Sequence, residues 1–307
     1  METDTDINKA SWLTFESKPL ESKIIKNSEN YFIAPWSNVN IIFDKNDILK
    51  IDEMLIKKGD CSTNESIDKI VYGTAYGSHA LPFHLYNYSA LKVIERFIDK
   101  EQMENMTFVE LGCNNGLISR LLNRNNFPFK EYFGVDFDFS FIIDGLNQFD
   151  KNDKLFQSNF MVGDFNKPLL FEDNSVDFVY FQEAFDHCRD KYFYSERLIY
   201  EINRILKDNG MLYITLVFDH PHRDLYHWDH NYTWKKEEFE EMITNYFDII
   251  NFNSLLTFEK TLQLYKSPNI QHVIDNWPIK FAKQICASFV NNEDSAVGAY
   301  LLKVKKG

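Results

Sequence analysis

The segment Phe108-Val-Glu-Leu-Gly-Cys-Asn-Asn-Gly-Leu-Ile-Ser-Arg120 constrains the fold more than any other part of the chain. Thr107 to Leu111 is a short apolar run carrying one acid, Glu110. A turn bounded by Gly112 and Gly116 follows, and Leu117, Ile118, Leu121 and Leu122 then recur at helical spacing. The pattern predicts strand, tight turn, helix. A turn of this kind brings backbone N–H groups and a helix N-terminus close to a ligand, because glycine has no Cβ to block the approach.

The elements that follow give the turn its meaning. Glu131 to Asp136 predicts a second strand ending in an acid, 24 residues after Gly112. A carboxylate at that place in a strand–helix–strand unit accepts hydrogen bonds from ribose hydroxyls. Phe160 to Asp164 predicts a third strand with another terminal acid, and Val176 to Gln182 a fourth. Tyr194 to Leu206 predicts a helix running into a turn at Asp208-Asn-Gly210, and Met211 to Phe218 a fifth strand. Helical spacing at Phe239, Met242, Ile243 and Tyr246 precedes a strand at Phe247 to Leu256, and the last strand is Gly298 to Val304.

Taken in order, Glu110-Leu-Gly-Cys-Asn-Asn-Gly116, Gly134-Val-Asp136, Gly163-Asp164, Asp173 to Val179 and Glu201 to Gly210 resemble the class I S-adenosylmethionine-dependent methyltransferases. The resemblance spans about residues 85 to 256 and the final strand. It implies an α/β fold: a Rossmann-like, seven-stranded, mostly parallel sheet with an antiparallel last strand and helices on both faces. It also implies S-adenosyl-L-methionine as cofactor, with ligands beyond the carboxyl ends of the strands. The cofactor candidates are Glu110, Gly112, Asn114, Gly116, Asp136, Phe137, Asp164, Phe165 and Gln182. Asp136 is expected at the ribose and Asp164 at the adenine amine, with Phe137 or Phe165 against the ring. Glu110 and Gln182 are expected near the methionine portion. Where the family commonly has a middle glycine in the turn, this chain has Asn114, a residue that tolerates positive φ better than most.

The resemblance also divides the chain. Residues 1–85 read as a lid or substrate segment, 86–256 as the cofactor-binding core, 257–297 as an insertion on the substrate side, and 298–307 as the final strand. A helix is expected near Pro278 within the insertion.

His187 is the leading base candidate, because small-molecule and sugar O-methyltransferases of the family often place a histidine after the fourth strand. An imidazole with a pKa near ~6.5 takes a proton at neutral pH. Asp219, after the fifth strand, would orient it or bind a substrate hydroxyl. The alternative for His187 is a cap or a loop support. His220, His222, His227 and His230 crowd one loop with Asp219, Asp224 and Asp229. The favoured reading is a polar substrate loop, with His220 and His222 as substrate contacts. A metal site on Asp219, His220, His222 and His227 is the alternative, although no recognised ligand spacing is present. Tyr76 and His84 are candidate lid contacts.

Composition narrows the partners. A net charge of −13 disfavours nucleic acid and anionic membranes. No apolar run approaches a membrane span, and the acidic N-terminus lacks a signal-peptide pattern. The four cysteines, Cys61, Cys113, Cys188 and Cys286, form no metal or redox spacing. A small-molecule substrate and a cytoplasmic setting are expected, and a homo-oligomer is compatible with the sequence. The function read here is methyl transfer to a small hydroxylated acceptor, such as a sugar or sugar nucleotide. N-methylation of a small amine is the alternative within the class. A nicotinamide-dependent oxidoreductase lacks its Gly-x-Gly-x-x-Gly fingerprint here, and a noncatalytic scaffold is the remaining alternative.

Overall fold

The computed structural model describes residues 18–36, 39–44, 80–138, 142, 156–182, 184–219, 233–257 and 295–305. Their strands are β1 (Lys18–Pro19), β2 (Tyr31–Trp36), β3 (Val39–Asp44), β4 (Thr107–Leu111), β5 (Glu131–Asp136), β6 (Gln157–Val162), β7 (Val176–Phe181), β8 (Leu206–Val217), β9 (Phe247–Thr257) and β10 (Ser295–Val304). The helices are α1 (Ala80–Phe97), α2 (Lys100–Met103), α3 (Leu117–Arg124), α4 (Phe193–Ile205) and α5 (Lys236–Ile243).

All ten strands join one sheet in the order β1-β2-β3-β6-β5-β4-β7-β8-β10-β9. From β3 to β8 every neighbouring pair is parallel, and β10 runs antiparallel to both β8 and β9. The chain builds outward from β4 through β5 to β6, then returns to β7 on the other side of β4. That reversal opens a crevice at the carboxyl ends of β4 and β7, where open α/β sheets bind ligands.

Side-chain alternation divides the core between the two faces. Phe108, Phe178 and Tyr180 pack with Ile94 of α1 and with Ile118 and Leu122 of α3. Val109, Leu111, Val179 and Phe181 pack with Leu198 and Ile202 of α4 and with Phe239 and Ile243 of α5. Helices on both faces explain why the central strands are apolar almost throughout.

The sheet departs from the seven-stranded expectation by three strands. The β2–β3 hairpin and the short β1 extend it beyond β6, with β3 parallel to β6. A bare β6 would present a row of unpaired N–H and C=O groups. The apolar run Ile41-Ile42-Phe43, buried on both faces, covers that edge. Asn40 Nδ2 donates to its register partner Asn159 Oδ1 over 3.0 Å. Much of the rest of residues 1–85, Tyr76 included, lies outside the described residues, as do residues 258–294 of the expected 257–297 insertion, with its expected helix.

A second departure concerns the turn expected at Asp208-Asn-Gly210. Strand β8 starts directly after α4, and its pairing with β7 slips between Val176 and Phe178. Residues 207–210 therefore form an irregularity within the strand. Lys207 Nζ holds it by reaching Asp177 Oδ1 and Oδ2 at 2.9 and 2.8 Å.

Two of the matching motifs act as clamps. Arg204 donates to the carbonyls of Phe171 and Leu169 at 2.9 and 3.0 Å and bridges Asp173 and Glu201. Glu201 Oε2 also accepts from the Leu169 N–H over 2.9 Å. Burial opposes the Glu201 charge, but these donors hold its carboxyl below the ordinary range. Asp177 accepts from the Thr107 N–H over 2.9 Å, which fixes the start of β4 against β7. These charged residues tie strands and connections together, away from the carboxyl ends.

Candidate cofactor site

The turn after β4 is locked onto the end of β5. The N–H groups of Gly112 and Cys113 both donate to the Val135 carbonyl, at 2.8 and 3.1 Å, and Gly116 N–H closes on Cys113 O at 2.8 Å. Gly112, Asn114 and Gly116 take φ of 71°, 47° and 70°. Gly112 is required twice over. Its φ is left-handed, and a Cβ there would stand 2.7 Å from the Cβ of Ala184, just beyond β7. Asn114 tolerates the middle position because its side chain belongs to the small set that accepts αL. Gly116 is the N-cap of α3.

Asp136 is buried at the end of β5. Its Oδ2 accepts from the Asn114 N–H over 2.8 Å and its Oδ1 from the Asp138 N–H over 2.9 Å. Burial raises its carboxyl above the ordinary range, against those two N–H groups, which lower it. The glycine turn and the acid expected at the ribose are thus one hydrogen-bonded unit. Next to it, Phe137 is 67% exposed at the carboxyl edge of the sheet. Phe165 is buried, edge-on to Phe181 with centroids 5.5 Å apart. Of the two aromatic candidates, Phe137 is the one with open ring surface.

Glu110 is buried beneath the turn. It accepts a short hydrogen bond from Tyr132 Oη. Burial pushes its carboxyl up to about 8, the Tyr132 hydroxyl pulls it down, the Asp136 charge raises it and the Arg120 guanidinium lowers it. Glu110 is therefore largely protonated near neutrality. Asp164 caps its own turn, with Oδ1 accepting from Asn166 N–H and Nδ2 at 2.9 and 3.1 Å. Gln182 donates to Asn87 Oδ1 over 3.0 Å and accepts a short bond from Tyr180 Oη.

Asp219 follows β8 and is exposed. Its N–H donates to Trp234 O over 2.7 Å, and Thr233 Oγ1 donates to its Oδ1 over 3.3 Å. Those contacts pin the two ends of the histidine-rich loop, whose His220, His222 and His227 lie outside the described residues. His187 closes a 3-10 turn, Phe185–His187, three residues beyond Ala184. For His187, and for His84 on α1, the backbone alone is described. Among the described residues no group of three or more His, Cys, Asp or Glu is placed to hold a metal.

Three participants were not anticipated from the sequence. Tyr132 sits on the same face of the sheet as Glu110, a pairing that the alternation of β4 and β5 implies once their register is known. Asn87 belongs to α1, distant in sequence from Gln182. Asn115 is 3% exposed, and its side-chain nitrogen has no hydrogen-bond partner among the described residues.

The arrangement fits an adenosyl cofactor. It has a buried carboxylate at the strand end for hydroxyl donors and an exposed aromatic face beside it. Residues 109–214, from β4 into β8, match the family model described as a methyltransferase domain. Residues 109–214 thus carry a methyltransferase domain on a Rossmann-like fold, and that domain indicates S-adenosylmethionine as the cofactor. No curated protein matches the chain.

Three solved structures are similar. One is from a Haloferax volcanii complex between the Trm112 methyltransferase activator and a protein named as a methyltransferase. It has 21% identity and a TM-score of 0.53, covering 78% of this chain and 97% of the other. The [4+2]-cyclase SpnF has 17% identity and a TM-score of 0.51, covering 72% and 81%. Phosphoethanolamine N-methyltransferase 2 of Haemonchus contortus, in complex with S-adenosyl-L-methionine, has 16% identity and a TM-score of 0.51, covering 79% and 60%. At these identities the likeness is one of fold. Among the described residues no helix is long and apolar enough to cross a membrane.

Proposed function

We propose that the protein transfers a methyl group from S-adenosylmethionine to a hydroxyl of a small polar acceptor of the sugar or sugar-nucleotide kind. The observation that carries this reading is the position of His187. Its turn starts four residues after the end of β7, and Ala184 just before it abuts Gly112 of the cofactor turn. That backbone position is beside the crevice at the carboxyl ends of β4 and β7. When bound, the cofactor supplies a methyl group already activated on a sulfonium, so alignment contributes much of the rate. An alcohol remains a weak nucleophile until its proton leaves, and His187 takes that proton. Asp219, at the carboxyl end of the neighbouring β8, orients the imidazole or an acceptor hydroxyl. The polar loop that Asp219 opens supplies substrate contacts, with His220 and His222 among them.

Turnover of labelled S-adenosylmethionine with a panel of sugars, sugar nucleotides and small amines tests the reading. Methylation of a hydroxyl acceptor is expected, falling ~10²-fold or more in His187→Ala with cofactor binding retained. Transfer to amines alone, or near-normal turnover in the variant, overturns the hydroxyl acceptor or the base, respectively.

A further inference from the structure

Gln182 is the first residue past β7, and it stands beside Gly112 because Phe181 pairs in register with Leu111. It is partly exposed at the carboxyl edge of the sheet, yet its side chain is held at both ends. Gln182 Nε2 donates to Oδ1 of Asn87 over 3.0 Å, and the Tyr180 hydroxyl donates to Gln182 Oε1. The same hydroxyl lies 3.4 Å from Asn87 Oδ1, so the three groups close a ring. Tyr180 is wedged in place, fully buried and stacked on Tyr213 of β8 with centroids 5.3 Å apart.

Asn87 comes from α1 and is 3% exposed. The buried face of a helix is ordinarily apolar, and an amide placed there costs free energy unless it is hydrogen-bonded. A leucine at this position would fill the space without that requirement. What the asparagine adds is a fixed orientation for Gln182. An amide carries two N–H donors and an oxygen with two acceptor sites. The ring uses one donor and one acceptor site of Gln182, and the others remain for a ligand. A long polar side chain ordered in advance spares the entropy of ordering it at the moment of binding.

We propose that Asn87 is a positioning residue for the amino-acid arm of the cofactor. It acts through Gln182, whose amide it holds at the crevice before a ligand arrives. Helix α1 thereby takes part in the site without touching the ligand. The proposal rests on S-adenosylmethionine being the cofactor and on Gln182 standing at its methionine portion.

Calorimetry on the full chain tests it with two ligands. S-adenosylhomocysteine and 5′-methylthioadenosine share the adenosine and the thioether, and only the first has the amino-acid arm. Asn87→Leu should weaken S-adenosylhomocysteine about 5-fold and leave methylthioadenosine within about twofold, since only the arm meets the loosened side chain. Gln182→Leu should weaken S-adenosylhomocysteine about 10-fold, because the contact itself is lost. The double variant separates positioning from packing. If Asn87 acts through Gln182, adding Asn87→Leu to Gln182→Leu costs nothing further. Asn87→Asp keeps an acceptor for Gln182 and should bind within about twofold of the unaltered protein. Should Asn87→Leu not fold, Asn87→Ser, whose hydroxyl is too short to reach Gln182, takes its place in the same cycle.

Losses that multiply in the double variant, or equal losses for both ligands, assign Asn87 to the packing of α1 and overturn the proposal. Unchanged affinity in Asn87→Leu overturns it as well. Normal binding of S-adenosylhomocysteine by Gln182→Leu overturns the place given to Gln182 while leaving the cofactor reading intact. Failure of the unaltered protein to bind either ligand is a different result, and overturns the cofactor reading itself.

Discussion

The backbone N–H of Asn114 donates to the Asp136 carboxylate over 2.8 Å, so the middle of the cofactor turn and the acid of the next strand move as one piece. Where a glycine is common, the chain has a residue that still reaches φ 47° and keeps this bond. If Asp136 holds the cofactor as proposed, affinity and turn geometry are coupled through it.

Asp136→Ala removes the anchor of the turn and the carboxylate proposed to accept from the ribose. Hydrogen bonds to a charged group contribute about 1.5–3 kcal/mol, so the variant should bind S-adenosylhomocysteine roughly 10- to 100-fold more weakly. Asp136→Asn keeps an acceptor for Asn114 and should fall between the two. Calorimetric titration of the three proteins checks the order.

Gly112→Ala meets two obstacles, the 2.7 Å approach to Ala184 and a φ of 71°. The backbone component alone costs roughly 1–2 kcal/mol. A lower denaturation midpoint should accompany weaker cofactor binding. Unchanged binding in the variant would mean that the turn and the segment after β7 part without consequence.

The Glu110 carboxyl, raised by burial to about 8 from the usual 4.5, makes a prediction with a definite sign. The folded protein holds this proton where the unfolded chain has lost it. Glu110 therefore weakens the fold progressively as pH rises from about 4.5 to about 8, and the penalty levels off above that. Glu110→Gln cannot ionise and keeps an acceptor for Tyr132. Its melting temperature relative to the unaltered protein should rise between pH 5 and pH 8, by roughly 2–4 °C for each kcal/mol relieved. A constant difference across that window would show that Glu110 titrates normally.

Arg204→Met should destabilise the fold by about 3 kcal/mol, because it leaves the buried Glu201 without its cation and two carbonyls without a donor. Turnover per folded molecule should be preserved, since the clamp lies away from the carboxyl ends of the strands. Denaturant unfolding together with activity scaled to the folded fraction separates the two effects.

The core of this fold was readable because periodicity and glycine placement are local. The stretch from Thr107 to Arg120 declares strand, turn and helix, and it is found as β4, the turn and α3. What escaped depends on partners far along the chain. Nothing near Val39 to Asp44 announces that its partner is Gln157 to Val162, because strand pairing is not a local property. The turn expected at Asp208-Asn-Gly210 was drawn into β8 by pairing with β7 and by the Lys207–Asp177 contact. Asp136 was legible as an acid at a strand end, whereas its bond to Asn114 required the register of β4 on β5. Asn87, Tyr132 and Asn115 carry no signal of their own, since each acquires its meaning from a neighbour brought close by folding.

The pairing of β3 with β6 also sets an order of events during synthesis. Asn40 waits for Asn159, 119 residues later, so β2 and β3 leave the ribosome well before the edge they join. Contacts that far apart are slow to form. Until β6 emerges and pairs with β5, the N-terminal hairpin has no edge to join, and its apolar face depends on other protection.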